Sequence, residues 1–348
     1  MNVLVTGGAG FIGSAFLTLS VPRYPEHRFI NIDKLTYAAN PANLEPIAKA
    51  SNYEFELLDI VDFEAVMDIF ARYKPELVVH FAAESHVDRS ILAPRAFVRS
   101  NIEGTFNLLE AARATWSTVS GQHFHHVSTD EVYGSLGETG RFTEASPYDP
   151  SSPYSASKAA SDHLVRSYAK TFGLPATITN SSNTYGPHQF PEKLIPLMLQ
   201  NALERKPLPL YGRGLNVRDW LYVDDHCEAI WAVIQRGRLG ETYNVGGNAE
   251  LPNVKVVEHL CRILAKELGC PPSELTELVT FVADRPGHDL RYAMDSSKIL
   301  RDCGWVPRET FTSGLLKTVR WYLQNQQWVE QVRTGEYRAW LDANYAHR

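Results

Sequence analysis

Cysteine is scarce in this sequence. A chain of 348 residues contains four, namely Cys227, Cys261, Cys270 and Cys303. Their spacing matches neither a CxxC pair nor a zinc site, and four cysteines are too few for a disulfide framework in so long a chain. This argues against a disulfide-stabilised secreted scaffold and favours a reducing compartment, so we expect a cytoplasmic protein.

Long apolar runs and an excess of basic residues are missing as well. No apolar run approaches the roughly 20 residues of a membrane helix, and the chain begins with a strand-like segment rather than a leader with a basic flank. The net charge of -6 offers no basic surface for nucleic acid or an anionic membrane, although a local basic pocket is compatible with it. With 44% hydrophobic and 21% charged residues, the composition is that of an ordinary globular protein.

Short β-branched segments alternate with longer helical patterns in the first half of the chain. The strand-like segments are residues 2–6, 28–32, 53–58, 77–81, 124–128 and 176–179, and the helical ones are residues 11–20, 62–73, 94–115 and 153–172. This alternation predicts a Rossmann-type α/β fold with a doubly wound parallel sheet. Four strands are followed at once by small or polar residues, at Gly7, Asp33, Asp59 and Thr129. We expect these positions to converge on one crevice.

The pattern changes after about residue 182. Loops rich in proline and glycine are followed by helical segments at residues 254–268 and 312–325, which predicts a smaller C-terminal α/β lobe on the substrate side. Residues 242–245 read as a strand that returns to the large sheet. We therefore predict a Rossmann domain of residues 1–182 plus about 215–246, and a second lobe of about 183–214 plus 247–348.

A glycine turn lies between the first strand and the first helix. Residues 8–13, GAGFIG, fit the GxGxxG pattern in the context where it marks a dinucleotide site. The glycines allow a tight turn, and free N–H groups at the helix start bind a pyrophosphate. Asp33 follows the next strand, where a carboxylate accepts ribose hydroxyls and favours NAD over NADP. Lys34 follows at once, and a lysine at this position can equally be a solvated surface residue.

A tyrosine and a lysine share one face of a later helix. Residues 151–158, SSPYSASK, supply a capping serine and a proline for the first helical turn, then Tyr154 and Lys158 four residues apart. A phenol with a pKa of about 10 is a poor base at neutral pH. An adjacent ammonium and a positively charged nicotinamide ring both favour the phenolate. We predict that Tyr154 accepts a hydroxyl proton as hydride leaves the same carbon.

Together the two motifs resemble the extended short-chain dehydrogenase/reductase family, over essentially the whole chain. Within it, six segments are most similar to the dTDP-glucose 4,6-dehydratases: residues 33–38 (DKLTYA), 82–90 (AAESHVDRS), 128–134 (STDEVYG), 191–196 (PEKLIP), 218–226 (RDWLYVDDH) and 284–289 (DRPGHD). The chain departs from the pattern at Thr184, where a second asparagine is usual after Asn183, and at Leu290, where an arginine is usual.

The resemblance implies a redox-neutral elimination with dTDP-glucose as substrate. Oxidation at C4 of the sugar acidifies the C5 proton, so a base at C5 and an acid at the C6 hydroxyl complete the loss of water. By resemblance Glu131 is the base, Asp130 the acid and Thr129 a hydrogen-bond partner of the C4 oxygen. Asp130 must then be protonated, which burial or the nearby charge of Glu131 favours.

The remaining ligand contacts rest on the resemblance. Those expected for NAD, besides Tyr154 and Lys158, are Gly7, Gly10, Phe11, Ile12, Gly13, Asp33, Lys34, Leu35, Thr36, Asp59, Ile60, Phe81, Ala82, Ala83, Ser85, Ser100 and Thr184. Those expected for the nucleotide sugar, besides Thr129, are Ser85, Asn183, Lys193, Leu194, Pro209, Leu210, Tyr211, Arg218, Asn253, Arg285 and His288. Lys193, Arg218 and Arg285 have the charge that a diphosphate needs. The resemblance also implies a homodimer through residues 94–115 and 153–172, whose apolar side chains fit a monomer core equally well.

Three histidines look at first like a metal cluster. His123, His125 and His126 fall on both faces of a predicted strand without evident acidic partners, so we assign them to packing and expect no metal. Other readings stay open: a UDP-glucose 4,6-dehydratase, a nucleotide-sugar 4-epimerase or decarboxylase, and a non-catalytic NAD sensor. Asp130 argues against an epimerase, which needs no acid–base pair there, and a sensor has little use for the whole catalytic set.

Overall fold

A computed structural model describes residues 1–116, 121–284 and 287–333 of the protein. Its strands are β1 Asn2–Thr6, β2 Arg28–Asp33, β3 Tyr53–Leu57, β4 Leu77–His80, β5 His123–Thr129, β6 Ala176–Ser181, β7 Asn183–Tyr185, β8 Leu208–Tyr211, β9 Val217–Tyr222, β10 Thr242–Val245, β11 Glu250–Pro252 and β12 Val279–Val282. Its helices are α1 Phe11–Arg23, α2 Phe63–Tyr73, α3 Val87–Leu92, α4 Pro94–Phe97, α5 Gly104–Thr115, α6 Pro153–Phe172, α7 Leu194–Leu203, α8 Val223–Arg236, α9 Asn253–Leu268, α10 Ser273–Thr276, α11 Ser297–Cys303, α12 Phe311–Gln324 and α13 Gln326–Val332. Within these ranges, no helix is long and apolar enough to cross a membrane.

The main sheet has seven parallel strands in the order β10-β6-β5-β4-β1-β2-β3. Strand β1 is inaccessible to solvent at Val3, Leu4 and Val5, as expected of a parallel strand covered by helices on both faces. Strands β2 and β3 follow β1 on one side of the sheet, and β5, β6 and β10 follow β4 on the other. Strands β1 and β4 therefore flank the point at which such sheets bind ligands. The predicted doubly wound α/β fold is confirmed, and β10 returns to this sheet beside β6 as predicted.

The predicted helix over residues 94–115 is interrupted. Between α4 and α5, residues Val98–Glu103 form a wider π-helical turn. The side chain of Asn101 leaves the helix there and binds the backbone of Glu84, accepting from its N–H at 2.8 Å and donating to its C=O at 3.0 Å. Asn101 also donates to the Ser157 hydroxyl on α6 at 2.8 Å. The turn thus ties α6 to the loop after β4, which borders the cleft.

The C-terminal part packs around a second apolar core. Helices α7, α9 and α12 bury Leu199, Leu260 and Leu315 completely, while β9 joins β7 and β11 in a three-stranded sheet and β8 pairs with β12. Helix α8 was not predicted. It packs against the main sheet and α1, where the Trp231 ring stacks on Phe16 and its indole N–H donates to Ser20 at 2.7 Å.

Candidate active site

The glycine turn after β1 leaves no room for side chains. A Cβ atom added to Gly7, which has φ +73°, would lie 2.6 Å from the backbone nitrogen of Ala82, and one on Gly13 would lie 2.3 Å from the Gly7 carbonyl oxygen. Helix α1 starts directly after Gly10 without a side-chain cap. Its first N–H groups are therefore available to an anion at the positive end of the helix dipole. This cradle fits the pyrophosphate of a dinucleotide.

Asp33 closes the turn at the end of β2. One carboxylate oxygen accepts from the N–H of Ala9 at 2.9 Å and the other from the N–H of Leu35 at 2.8 Å. Burial raises the pKa of Asp33, and the two backbone hydrogen bonds work against that rise. Each oxygen keeps lone-pair capacity for a ribose hydroxyl, because a carboxylate offers about four acceptor sites.

The Lys34 side chain, next to Asp33, contacts two neighbouring side chains. Its ammonium donates to the Ser100 hydroxyl at 2.9 Å and lies 3.5 Å from a carboxylate oxygen of Asp59. The side chain is 32% exposed, so these two contacts fix a partly exposed lysine. The preference for NAD over NADP rests on Asp33, whose carboxylate suits ribose hydroxyls rather than an additional phosphate.

Four of the expected catalytic residues lie buried at the ends of β5 and α6. Thr129 ends β5, and its hydroxyl accepts from the N–H of Glu131 at 3.3 Å. Helix α6 begins with a capping box formed by Ser152 and Ser155. This start places Tyr154 in the first turn and Lys158 one turn later, and both are buried with Thr129 and Asp130. All of them line one cleft with Glu131 and the glycine turn.

The surroundings of Asp130 favour its neutral form. Its side chain is 2% exposed, and the Oδ2 atom has no hydrogen-bond partner among the described residues. Burial raises the pKa of Asp130 well above its usual value, the charge of Glu131 raises it further, and the Arg218 guanidinium works in the opposite direction. The environment thus favours a protonated Asp130 beside the charged Glu131, which is the pairing that an elimination requires.

Tyr154 differs from the expectation. Burial raises the pKa of this phenol, and the charge of Glu131 adds to the rise, whereas a hydrogen bond with Thr129 lowers it. In the chain without ligands the pKa of the phenol is raised in spite of the neighbouring Lys158. Its ammonium donates to the Val127 carbonyl at 2.9 Å and lies 3.3 Å from Nε2 of His126. Additional positive charge in the cleft, such as the nicotinamide ring of bound NAD, would lower the pKa of the phenol.

The three histidines of β5 have different surroundings. His125 contacts the hydroxyls of Thr177 and Thr179, at 2.9 and 3.2 Å. His126 lies 3.3 Å from a carboxylate oxygen of Asp162, so the statement that these histidines lack acidic partners is wrong for His126. Across the described ranges, no group of histidine, cysteine and carboxylate side chains is arranged to hold a metal ion.

Almost every residue expected at the cofactor lines this cleft. The set comprises Gly7, Gly10, Phe11, Ile12, Gly13, Asp33, Lys34, Thr36, Asp59, Ile60, Phe81, Ala82, Ala83, Ser85, Ser100, Tyr154, Lys158 and Thr184. Leu35 is the exception, because its positive φ of 55° takes the backbone around the turn that binds Asp33. The Thr184 hydroxyl contacts Nδ1 of the buried His226 at 2.9 Å.

The expected substrate residues divide into two groups. Ser85, Thr129, Asn183 and Lys193 line the cleft, and the Lys193 ammonium donates to the Ser85 carbonyl at 3.0 Å. The other described ones lie outside its walls, namely Leu194, Pro209, Leu210, Tyr211, Arg218, Asn253 and His288. Leu210 is buried in the C-terminal core, so its side chain is out of reach of a ligand. Arg285 lies outside the described residues.

Arg218 is fixed close to the acid pair although it is not part of the cleft wall. Its guanidinium donates to the carbonyls of Val217 and Asp289, at 2.8 and 3.0 Å, and stacks over the Tyr292 ring at 4.2 Å. The positive charge of Arg218 acts on Asp130, because it lowers the pKa of that carboxyl. A diphosphate bound beyond the acid pair would meet a preorganised cation there.

Several residues of the cleft were missed in the sequence. Glu84, Ser128, Gln189, Phe190 and Glu192 all line it. Glu192 is nearly inaccessible to solvent, and its carboxylate accepts hydrogen bonds from Arg89 at 3.0 Å and from the Tyr37 hydroxyl at 3.2 Å. The PEKLIP segment contained the signal, but a glutamate beside a lysine reads as surface charge until its burial is known.

Comparison with known proteins places the chain in a family. The profile of the GDP-mannose 4,6-dehydratase family matches residues 4–318. The chain belongs to this family. It is 55% identical to the dTDP-glucose 4,6-dehydratase of Neisseria meningitidis serogroup B, with 97% of each chain covered. The resemblance drawn from the six sequence segments is confirmed.

Solved structures of family members agree with this placement. The dTDP-glucose 4,6-dehydratase of Bacillus anthracis, in complex with NAD, is 45% identical and superposes with a TM-score of 0.86, covering 95% of this chain and 99% of its own. The dTDP-glucose 4,6-dehydratase of Streptomyces venezuelae, also with NAD bound, is 46% identical with a TM-score of 0.87, covering 95% of this chain and 100% of its own.

Proposed function

We propose that this protein is an NAD-dependent dTDP-glucose 4,6-dehydratase, which converts dTDP-glucose to dTDP-4-keto-6-deoxyglucose and water. The observation that carries the proposal is the buried Asp130, which lies beside Glu131 in the same cleft as Tyr154 and the glycine turn and has a pKa raised by burial and by the charge of Glu131. The relatives named above support the substrate and the cofactor. When bound, NAD accepts the hydride from C4 of the sugar and returns it to C6.

Each proton transfer falls to a residue of this chain. Tyr154 accepts the proton of the C4 hydroxyl, and Thr129 holds the C4 oxygen. Glu131, the carboxylate of the acid pair, then removes the C5 proton, and Asp130 gives its proton to the departing C6 hydroxyl, which leaves as water. Glu131 then returns a proton to C5, and the proton taken up by Tyr154 balances the one that Asp130 gave up. Because the hydride taken from C4 is returned to C6, the reaction as a whole consumes no reductant.

An epimerase is the nearest alternative, and one labelling experiment separates the two. dTDP-glucose carrying deuterium at C4 should yield a 4-keto-6-deoxy product with the deuterium at C6, as measured by mass spectrometry and NMR. Return of the label to C4 in a dTDP-hexose would contradict the proposal and favour epimerisation. UDP-glucose with the same label serves as the comparison substrate, and faster turnover of it would contradict the preference for thymine.

We further propose that the chain has two functional parts. Residues 1–182 plus about 215–246 form the NAD-binding domain, and about 183–214 plus 247–348 form the nucleotide-sugar lobe. Two observations support this division: β10 pairs with β6 in the main sheet, and α8 packs on α1 through Trp231 and Phe16. The substrate contacts assigned above, apart from the buried Leu210 side chain, belong to the same proposal, with Arg218 of the first part and Arg285 of the second at the diphosphate.

A homodimer through the region of α5 and α6 is also part of the proposal. Two large apolar side chains there face solvent, Phe106 being 43% and Phe172 53% exposed, and a second copy would cover them. Light scattering should give twice the mass of one chain, and Phe106→Glu should lower it to that of a monomer. The matched control is Phe281→Glu, at an exposed phenylalanine on β12. A wild-type monomer would contradict the dimer.

The cysteines support a reducing compartment. All four are free thiols in the structure, with Cys227, Cys261 and Cys303 buried and Cys270 partly exposed. None of them lines the cleft. We therefore place the enzyme in the cytoplasm.

A further inference from the structure

Helix α6 carries a third polar residue one turn after the catalytic pair Tyr154 and Lys158. Tyr154, Lys158 and Asp162 follow one another at intervals of four residues and thus share one helix face. Asp162 is inaccessible to solvent and Lys158 nearly so. A buried ammonium is costly unless an opposite charge accompanies it. Asp162 supplies that charge from within the same helix.

Neutral His126 lies between the two charged groups. Its Nε2 atom is 3.3 Å from the Lys158 ammonium and 3.3 Å from a carboxylate oxygen of Asp162. Burial lowers the pKa of His126 well below its usual value, and the charge of Lys158 lowers it further. The imidazole therefore contributes a dipole rather than a second positive charge.

The Asp162 carboxylate is itself held in place from the other side. Oδ2 accepts from the Ser128 hydroxyl at 2.9 Å and from the Tyr148 hydroxyl at 2.8 Å. Arg166 in turn donates to the Tyr148 oxygen at 2.6 Å, and Asn180 donates to it at 2.9 Å. A tyrosine that receives two hydrogen bonds directs its own proton to the carboxylate. Burial raises the pKa of Asp162, and the charge of Lys158 and the hydrogen bonds from Ser128 and Tyr148 work against that rise.

We propose that Asp162 is a positioning residue of the dehydratase: its buried carboxylate keeps Lys158 protonated at neutral pH and, with His126, holds the ammonium at the Val127 carbonyl. The inference rests on the proposed function, because it assigns Asp162 a part in the Tyr154 proton transfer. Burial lowers the pKa of Lys158 to about 8, and Asp162 acts in the opposite direction. Without that carboxylate the lysine would lose its proton at a lower pH.

Other titratable groups surround Lys158 as well. Asp162 faces it from α6, His126 from β5 and His80 from β4, and both histidines are held neutral by burial. Tyr154, Asp130 and Glu131 line the same cleft. Only the charge contributed by Asp162 is removed by the substitution Asp162→Asn, which preserves the size of the side chain.

The test is the pH profile of the first half-reaction, the substrate-dependent reduction of bound NAD, followed by absorbance under single-turnover conditions. In Asp162→Asn we expect the alkaline limb to move to lower pH by about 1 unit or more, since an opposite charge nearby shifts a pKa by about 1–3 units. For a shift of one unit the rate relative to wild type should consequently fall about fivefold at the wild-type pKa of Lys158 and approach a tenfold loss above it. An equal loss of rate at every pH, without a shift of the limb, would overturn the proposal.

A matched control and a wild-type measurement separate this role from a purely structural one. Asp225→Asn changes another buried carboxylate, which lies on α8 and accepts a hydrogen bond from the Glu309 N–H at 2.8 Å. This variant should leave the alkaline limb at its wild-type pH. If Asp162→Asn does not fold, the alkaline limb of the wild-type pH profile decides. A limb at about pH 8 or above supports the proposal. A limb below pH 7 overturns it, because a buried lysine without a counter-charge titrates at about 5–6. A wild-type enzyme without dehydratase activity would instead contradict the proposed function.

Discussion

Replacing Tyr154 by phenylalanine should lower kcat for dTDP-glucose by about 10³-fold, because the reaction then has no base for the C4 hydroxyl proton. The phenol lies buried between Thr129 and Phe97, and water that could replace it is largely excluded. Since only the hydroxyl is removed, packing is preserved and KM should change little. Steady-state kinetics measure both parameters, and the absorbance of bound NADH shows whether oxidation at C4 has stopped.

Tyr168→Phe is the matched control. Tyr168 lies on the same helix, is also largely buried, and its hydroxyl donates to Glu110, away from the cleft. This variant should keep the wild-type kcat even if its melting temperature falls slightly. Substrate-dependent NADH formation at the wild-type rate in Tyr154→Phe would show that another group takes the proton.

The parts of the site that the sequence predicted are those fixed by local geometry. The glycine turn follows from steric demands within a few residues of Gly7 and Gly13. The start of α6 follows from Ser152 and Pro153, and it sets the spacing of Tyr154 and Lys158. Both patterns can be read in one segment of chain. The convergence of Gly7, Asp33, Asp59 and Thr129 was predictable too, because each follows a strand of the parallel sheet.

The parts that were missed depend on contacts between distant segments. At the π-helical turn the Asn101 side chain binds Glu84 and Ser157, and no propensity of residues 94–115 indicates these contacts. Asp162 looks like a solvent-facing residue in a helix until β5 is packed against it. The pKa of Tyr154 likewise depends on burial, which the spacing to Lys158 does not reveal.

Replacing Asp130 by asparagine should separate the two halves of the reaction. Oxidation at C4 needs Tyr154 and Lys158, so bound NAD should still be reduced when dTDP-glucose is added. The departing C6 hydroxyl then lacks its proton donor, and formation of the 4-keto-6-deoxy product should slow by at least about 100-fold. Rapid-quench analysis of the product, alongside the absorbance of NADH, measures both steps in one experiment.

The same substitution tests whether Asp130 is protonated. Folding raises the pKa of this carboxyl above its usual 3.8, so its contribution to stability is fully present below that pH and is lost as the pH rises through the raised value. An asparagine has no such dependence. The melting temperature of Asp130→Asn relative to wild type should therefore increase from acid to neutral or alkaline pH, in protein without ligands.

Glu131→Gln is the complementary variant, because it removes the base at C5 and one negative charge next to Asp130. It should also accumulate NADH and stop before elimination. The pKa of Asp130 should fall in it, since a like charge has gone. If Asp130→Asn instead lost oxidation and elimination to the same extent, Asp130 would act on the first step. Its burial beside Glu131 would then serve to position the sugar rather than to donate a proton to the C6 oxygen.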